Sequence, residues 1–109
     1  MALKRHKYGV SPKADRTVDG TVFASKKEAT RYGELKLLEK QGEITNLKLQ
    51  PKFLCVVNGK KICKYFADFQ YENRDGSVII EDVKGFPTRV YRLKKKLVEA
   101  LHDFKITEV

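Results

Sequence analysis

The sequence predicts an α/β domain in which two helices cover a mixed central sheet, and three observations carry that reading. Apolar residues recur at helical spacing in two segments, 25–41 and the stretch after Thr88. Two turn signals, Asn58-Gly59 and Asn73-Arg74-Asp75-Gly76, punctuate runs rich in β-branched and aromatic residues. The order is then helix, three strands, helix, strand, an alternation that builds layered α/β folds.

Each element follows from its residues. Residues 1–20 carry Lys4, Arg5, Lys7, Lys13 and Arg16 with little apolar content, which predicts a mobile basic arm ending at Asp19-Gly20. A single domain is expected over 21–109. It begins with a short strand, Thr21-Val22-Phe23. Ser25 and Glu28 have capping-box spacing; Ala29, Tyr32, Leu35 and Leu38 repeat at helical spacing, and Gly42 supplies a stop, so 25–41 reads as one amphipathic helix. Residues 53–57 and 61–71 flank Asn58-Gly59 as a hairpin. A two-residue turn pairing Val57 with Lys60 sets Cys55 opposite Ile62 and turns Cys63 to the other face, so the two cysteines are expected to be reduced packing residues. Residues 78–84 form the third antiparallel strand, ended by Gly85 and Pro87. Thr88 caps a second helix whose apolar stripe reads Val90, Leu93, Leu97 and Leu101, with Arg89, Arg92, Lys95 and Lys96 off it. Residues 104–109 are the last strand.

At 109 residues the chain fits one domain and one site. No apolar run approaches the ~20 residues needed to span a bilayer, and the N-terminus lacks the apolar stretch of a secretory signal, so a cytoplasmic location and no membrane partner are expected. The formal charge of +9 favours a polyanion, with nucleic acid first and a basic protein lacking any specific ligand as the rival. Two cysteines without a CxxC pair exclude a disulfide framework and a zinc ribbon.

One constellation carries chemistry. Strand alternation puts Asp82 and Lys84 on one face and Glu81 on the other. A three-residue loop of Arg74, Asp75 and Gly76, with Gly76 left-handed, pairs Asn73 with Ser77 and sets Asp68 opposite Asp82; a two-residue turn would put Asp68 on the wrong face. Opposed carboxylates repel unless a cation lies between them. Oxygen ligands at this density suit Mg²⁺ or Mn²⁺, which could polarise a phosphodiester while Lys84 orients water or neutralises charge on the phosphate. Surface ion pairing is the competing account for each residue alone. Glu28 is either a capping residue or a further metal-site carboxylate. His6 and His102 are isolated, which disfavours a histidine-centred site.

These residues resemble the PD-(D/E)XK nuclease superfamily, with Ala67-Asp68 as its first element and Asp82-Val83-Lys84, followed by Gly85, as its second; alanine stands where the name has proline. Glu28 in Ser25-Lys26-Lys27-Glu28-Ala29 matches the extra acid that Holliday junction resolvase-like branches bring from the first helix. The chain also resembles a family of short phage and prophage proteins of formerly unknown function, through Lys7-Tyr8-Gly9, Asp19-Gly20, Phe23-Ala24-Ser25, Gln50-Pro51, Ala67-Asp68-Phe69 and Glu81-Asp82-Val83-Lys84-Gly85. The resemblance implies a restriction-endonuclease-like αβββαβ core. It also implies a Mg²⁺- or Mn²⁺-dependent DNA endonuclease acting on branched DNA. Glu28, Asp68, Asp82 and Lys84 would be catalytic, and Asp68, Asp82, Glu28 and the Val83 carbonyl would be metal ligands. Lys4, Arg5, Lys7, Arg89, Arg92, Lys95 and Lys96 would hold the DNA backbone, and by analogy the protein would be a homodimer. The alternatives are a non-catalytic basic DNA-binding module on such a fold and a basic structural or RNA-associated protein in which the acidic residues balance surface charge.

Overall fold

The computed structural model describes residues 12–83 and 87–109, and the chain divides into two compact units, Met1–Glu43 and Ile44–Val109. In the first unit a 3₁₀ turn, Lys13–Arg16, leads into the strand pair β1 (Thr17–Val18) and β2 (Thr21–Val22), closed by a turn at Asp19-Gly20. Helix α1 (Lys26–Lys40) follows, with the Ser25 hydroxyl accepting from the Glu28 amide at 3.1 Å. That bond satisfies one of the amide groups left over in a first helical turn. Ala29, Tyr32 and Leu35 form the buried stripe, and Phe23 packs its ring 5.0 Å from Tyr32. Gly42 takes a positive φ to let the chain leave the helix.

The second unit is α/β with a mixed four-stranded sheet. Its strands are β3 (Ile44–Leu49), β6 (Phe69–Asn73), β7 (Val78–Asp82) and β8 (Ile106–Glu108), adjacent in that order; β8 runs parallel to β7 and the other pairs are antiparallel. Between β3 and β6 the chain makes a two-stranded ribbon, β4 (Lys52–Val57) and β5 (Lys60–Phe66). Helix α2 (Arg89–His102) is capped by Thr88, whose hydroxyl accepts from the Tyr91 amide at 3.1 Å. The core gathers Cys55 and Tyr65 from the ribbon, Ala67, Ile80 and Ile106 from the sheet side, and Tyr91 and Val98 from α2.

Three strand expectations need correcting. The run 61–71 is not one strand: it bends at Ala67-Asp68, where Ala67 N–H donates to the Pro51 carbonyl and Gln50 N–H to the Asp68 carbonyl. Proline cannot donate to a ladder and Gln50 has a positive φ, so the ribbon kinks there while the pairing register of Leu49 with Phe69 continues into that of Lys52 with Phe66. The third strand of the antiparallel set is therefore residues 44–49, which sequence reading passed over. The cysteines are also not on opposite faces: Cys55 pairs with Cys63 because Ile62 is an extra residue in β5. Without that bulge Lys64 would share the face of Phe53 and Cys55; with it Lys64 stays in solvent and Tyr65 enters the core.

The stripe assigned to the second helix is also displaced. Val90, Leu93 and Leu101 are exposed, and α2 buries Tyr91 and Val98, with Leu97 partly covered. The inward face is centred on an aromatic and a valine because Tyr91 has a polar partner on β8, which a leucine stripe would not satisfy. Among the described residues, no helix is long and apolar enough to cross a membrane.

Candidate functional site

The carboxyl end of β7 is where the second unit concentrates its buried acids. Asn73 N–H donates to the Ser77 carbonyl at 2.9 Å and Gly76 sits at φ 87°, so the β6–β7 loop has the three-residue form that sequence spacing requires. The register runs from Glu72 opposite Val78 to Phe69 opposite Glu81, so one step on Asp68 stands across from Asp82. At that corner Asp68 N–H donates to the Glu81 carbonyl at 3.0 Å. The Asp68 carboxylate closes back across the strands, with Oδ2 accepting from the Val83 amide at 2.6 Å. A charged acceptor on a backbone amide is one of the stronger hydrogen bonds available, and it holds the Asp68 side chain against the Asp82-Val83 step.

Asp82 is fully buried, and its Oδ2 accepts from the Tyr65 hydroxyl. Tyr65 reaches it because the Ile62 bulge turns that side chain inward. Glu81 is as buried as Asp82 but lies on the opposite sheet face, where it accepts from the Tyr71 hydroxyl. The expectation that Glu81 lies on the other face from Asp82 agrees with that pairing.

Next to Asp82 the parallel pairing brings Glu108, and Val109 N–H donates to the Asp82 carbonyl at 3.0 Å. Glu108 Oε2 accepts from the Tyr91 hydroxyl at 2.6 Å and lies 3.5 Å from Lys95 Nζ. The Tyr91 hydrogen bond, the largest effect, holds the Glu108 carboxyl below its ordinary range; burial opposes it, and the Lys95 and Arg92 charges add to the lowering. Burial first, then the bond to Glu108 and the Asp82 charge, pushes the Tyr91 phenol well above its usual value. Tyr91 thus keeps its proton and stays a hydrogen-bond donor to Glu108. Arg92, Lys95 and Lys96 line a cleft of about 430 Å³ together with Pro87, Glu99 and Glu108.

The structure brings Asp68, Asp82 and Val83 together. Glu28 lies in the first unit on the opening turn of α1, half-buried, with its amide on the Ser25 hydroxyl. Arg89 is exposed at the start of α2. Lys84, Lys4, Arg5 and Lys7 lie outside the described residues. His102 is structural: Nε2–H donates to the Leu54 carbonyl at 2.7 Å, and its ring packs with Phe53 and Phe104. Sequence reading missed Tyr65, Tyr91 and Glu108. The only available signal for Tyr65 was that an unbulged ribbon would bury Lys64; Tyr91 and Glu108 depend on a parallel register that no local pattern encodes.

Among the described residues no three His, Cys, Asp or Glu side chains are grouped to hold a metal. The oxygen donors at the corner are two carboxylates and the nearby main chain. That set suits Mg²⁺, which is commonly held by one or two carboxylates and completes its shell with water and phosphate oxygens.

The fold and this corner define a small α/β protein with paired acids at the end of a sheet hairpin. Residues 5–108 match the family model described as "Protein of unknown function (DUF1064)", and the chain belongs to that family. No curated protein matches the sequence.

Proposed function

We propose that this protein is a Mg²⁺- or Mn²⁺-dependent DNA endonuclease of the PD-(D/E)XK type and of phage origin, acting on branched DNA in the cytoplasm of a bacterial host. The observation that carries the reading is the bond from the Val83 amide to Asp68 Oδ2, which gathers two acids at the end of a hairpin in the order that superfamily uses. Asp68 and Asp82, with the Val83 carbonyl, would hold the metal. When bound, it would supply charge against the phosphate and a more acidic water.

The protein's own residues do the positioning. The Tyr65 hydroxyl holds the Asp82 carboxylate and the Val83 amide that of Asp68, so neither would need reorganising when a phosphodiester arrives. Lys84 would neutralise charge developing on the phosphate, and Glu28 would add a further carboxylate. Arg89, Arg92, Lys95 and Lys96, with Lys4, Arg5 and Lys7, would bind backbone phosphates without reading sequence. Symmetric cutting of a four-way junction calls for two active sites, hence two copies of the chain.

The test is a cleavage panel of four-way junction, flap, duplex and single-stranded DNA, each with Mg²⁺, Mn²⁺ or chelator. Wild type is expected to cut at least one branched substrate only with metal, and Asp68→Ala to bind that DNA without cutting it. A folded wild type that binds DNA but cuts none would leave a non-catalytic DNA-binding module in place of the enzyme.

A further inference from the structure

Between Glu43 and Asp68 the chain contains no carboxylate and five lysines, Lys48, Lys52, Lys60, Lys61 and Lys64. Four of these lie on the β4–β5 ribbon. One ribbon face is buried through Phe53, Cys55, Cys63 and Tyr65 against the core. On the other face, Lys52 pairs with Phe66, Leu54 with Lys64 and Val56 with Lys61. Each of three successive levels thus sets one cation beside one apolar side chain. The lysines are exposed, and Leu54, Val56 and Phe66 are 44%, 43% and 55% exposed.

A purely solvating face would not carry an apolar residue at every level, and an ordinary apolar docking face would not carry a lysine at every level. Polyanions that also present flat apolar surface satisfy both. Successive levels are about 6.6 Å apart along the ribbon; with Lys52 on β4 and Lys64 and Lys61 on β5, the cations form a short zigzag whose steps along the ribbon are close to the spacing of neighbouring phosphates on one nucleic-acid strand. Phe66 offers a face for an unpaired base, and stacking on an aromatic ring is a common source of sequence-tolerant single-strand affinity. The Phe66 end of the ribbon is two residues from Asp68.

We infer that the outer face of the β4–β5 ribbon is a binding track for single-stranded DNA, leading to the Asp68 corner. Its role in delivering a strand for cleavage rests on the nuclease reading; its affinity for the strand does not. Lys52, Lys61 and Lys64 engage successive phosphates, while Phe66, Leu54 and Val56 lie against bases and sugars. Ile62, pushed out by the bulge, extends the apolar edge.

The experiment measures binding of a fluorescent oligonucleotide by anisotropy, in chelator and over a range of salt. The proteins are wild type, Lys52→Gln/Lys61→Gln/Lys64→Gln, Phe66→Ala, and a control of equal charge change, Lys13→Gln/Lys26→Gln/Lys40→Gln. Circular dichroism checks that each is folded. The ribbon triple variant is expected to weaken single-strand binding at least about ten-fold and to lower the log–log salt slope by about 2, the contribution of three phosphate contacts. Phe66→Ala is expected to weaken it about ten-fold with the slope unchanged, as loss of a stacked base predicts.

Equal losses in ribbon and control variants, no wild-type binding, or ribbon-dependent capture of phosphatidylserine vesicles in place of DNA would each overturn the inference. The cleavage panel, run on the same proteins, separates the two claims. Metal-dependent cutting with ribbon variants unaffected sinks the track and leaves the nuclease. Ribbon-dependent binding without cutting by any protein sinks the nuclease and leaves the track.

Discussion

Replacing Tyr65 by phenylalanine removes one oxygen atom and tests the whole construction around Asp82. Tyr65 is 4% exposed and Asp82 0%, so water cannot take the place of the lost hydroxyl without the core opening. A hydrogen bond to a charged group contributes about 1.5–3 kcal/mol, and the loss leaves a buried carboxylate short of a donor. In a unit of this size each kcal/mol moves the melting temperature by about 4–8 °C, so Tyr65→Phe should lower Tm by about 10 °C. The assay is thermal and urea unfolding of Tyr65→Phe, Asp82→Asn and the double variant in chelator. Because the two groups touch, the double variant should lose about 1 kcal/mol or more less than the two single losses combined. A Tyr65→Phe protein that melts like wild type, or strict additivity with Asp82→Asn, would refute the contact and with it the bulged register that creates it.

Two further expectations test other parts of the fold. Glu108 titrates below its ordinary range in the folded state, so its pairing with Tyr91 stabilises above the ordinary glutamate value and is lost as pH falls through the lower folded value. Tyr91→Phe should therefore cost more stability at pH 7 than at pH 3 in urea unfolding, and an equal cost at both would mean the phenol is not on that carboxylate. Directly opposed residues on antiparallel strands have Cα atoms about 4.5–5.5 Å apart, inside the ~4.4–6.8 Å range that disulfides span. Oxidation by diamide, which takes two electrons and two protons from a pair of thiols, should accordingly join Cys55 to Cys63 within one chain. Mass spectrometry of the folded protein reads the loss of two hydrogens, and free thiols at both positions after treatment would contradict the Ile62 bulge.

What the sequence discloses follows the range of the forces involved. Both helix starts are local, set by Ser25 and Thr88 on their own first turns, and both lie where capping chemistry puts them. The β6–β7 hairpin is local too, since Gly76 selects the loop and the loop selects the register that faces Asp68 with Asp82. The β4–β5 register is decided by a competition between Lys64 and Tyr65 for the core, a tertiary choice that the Asn58-Gly59 turn cannot express. The buried side of α2 is likewise set from outside, by Glu108 waiting on β8 for the Tyr91 hydroxyl. Half the candidate site is thus readable from spacing, the acids and their order. The tyrosines that hold those acids come from elements whose placement depends on contacts made far along the chain.

The continuous pairing of the ribbon has a hereditary consequence. Loop tips on protein surfaces ordinarily absorb insertions without harm, because nothing downstream depends on their length. The tip at Asn58-Gly59 is different, with both residues in the left-handed region and every pair from Val57–Lys60 back to Lys48–Gln70 counted from it, with Ile62 as the one extra residue. One residue added there would displace the partners on one whole side of the ribbon and turn Tyr65 outward, away from Asp82, while Asp68 kept the station opposite Asp82 that the β6–β7 loop sets. A site at the foot of the ribbon therefore constrains the length of a turn about ten residues away that touches none of its atoms.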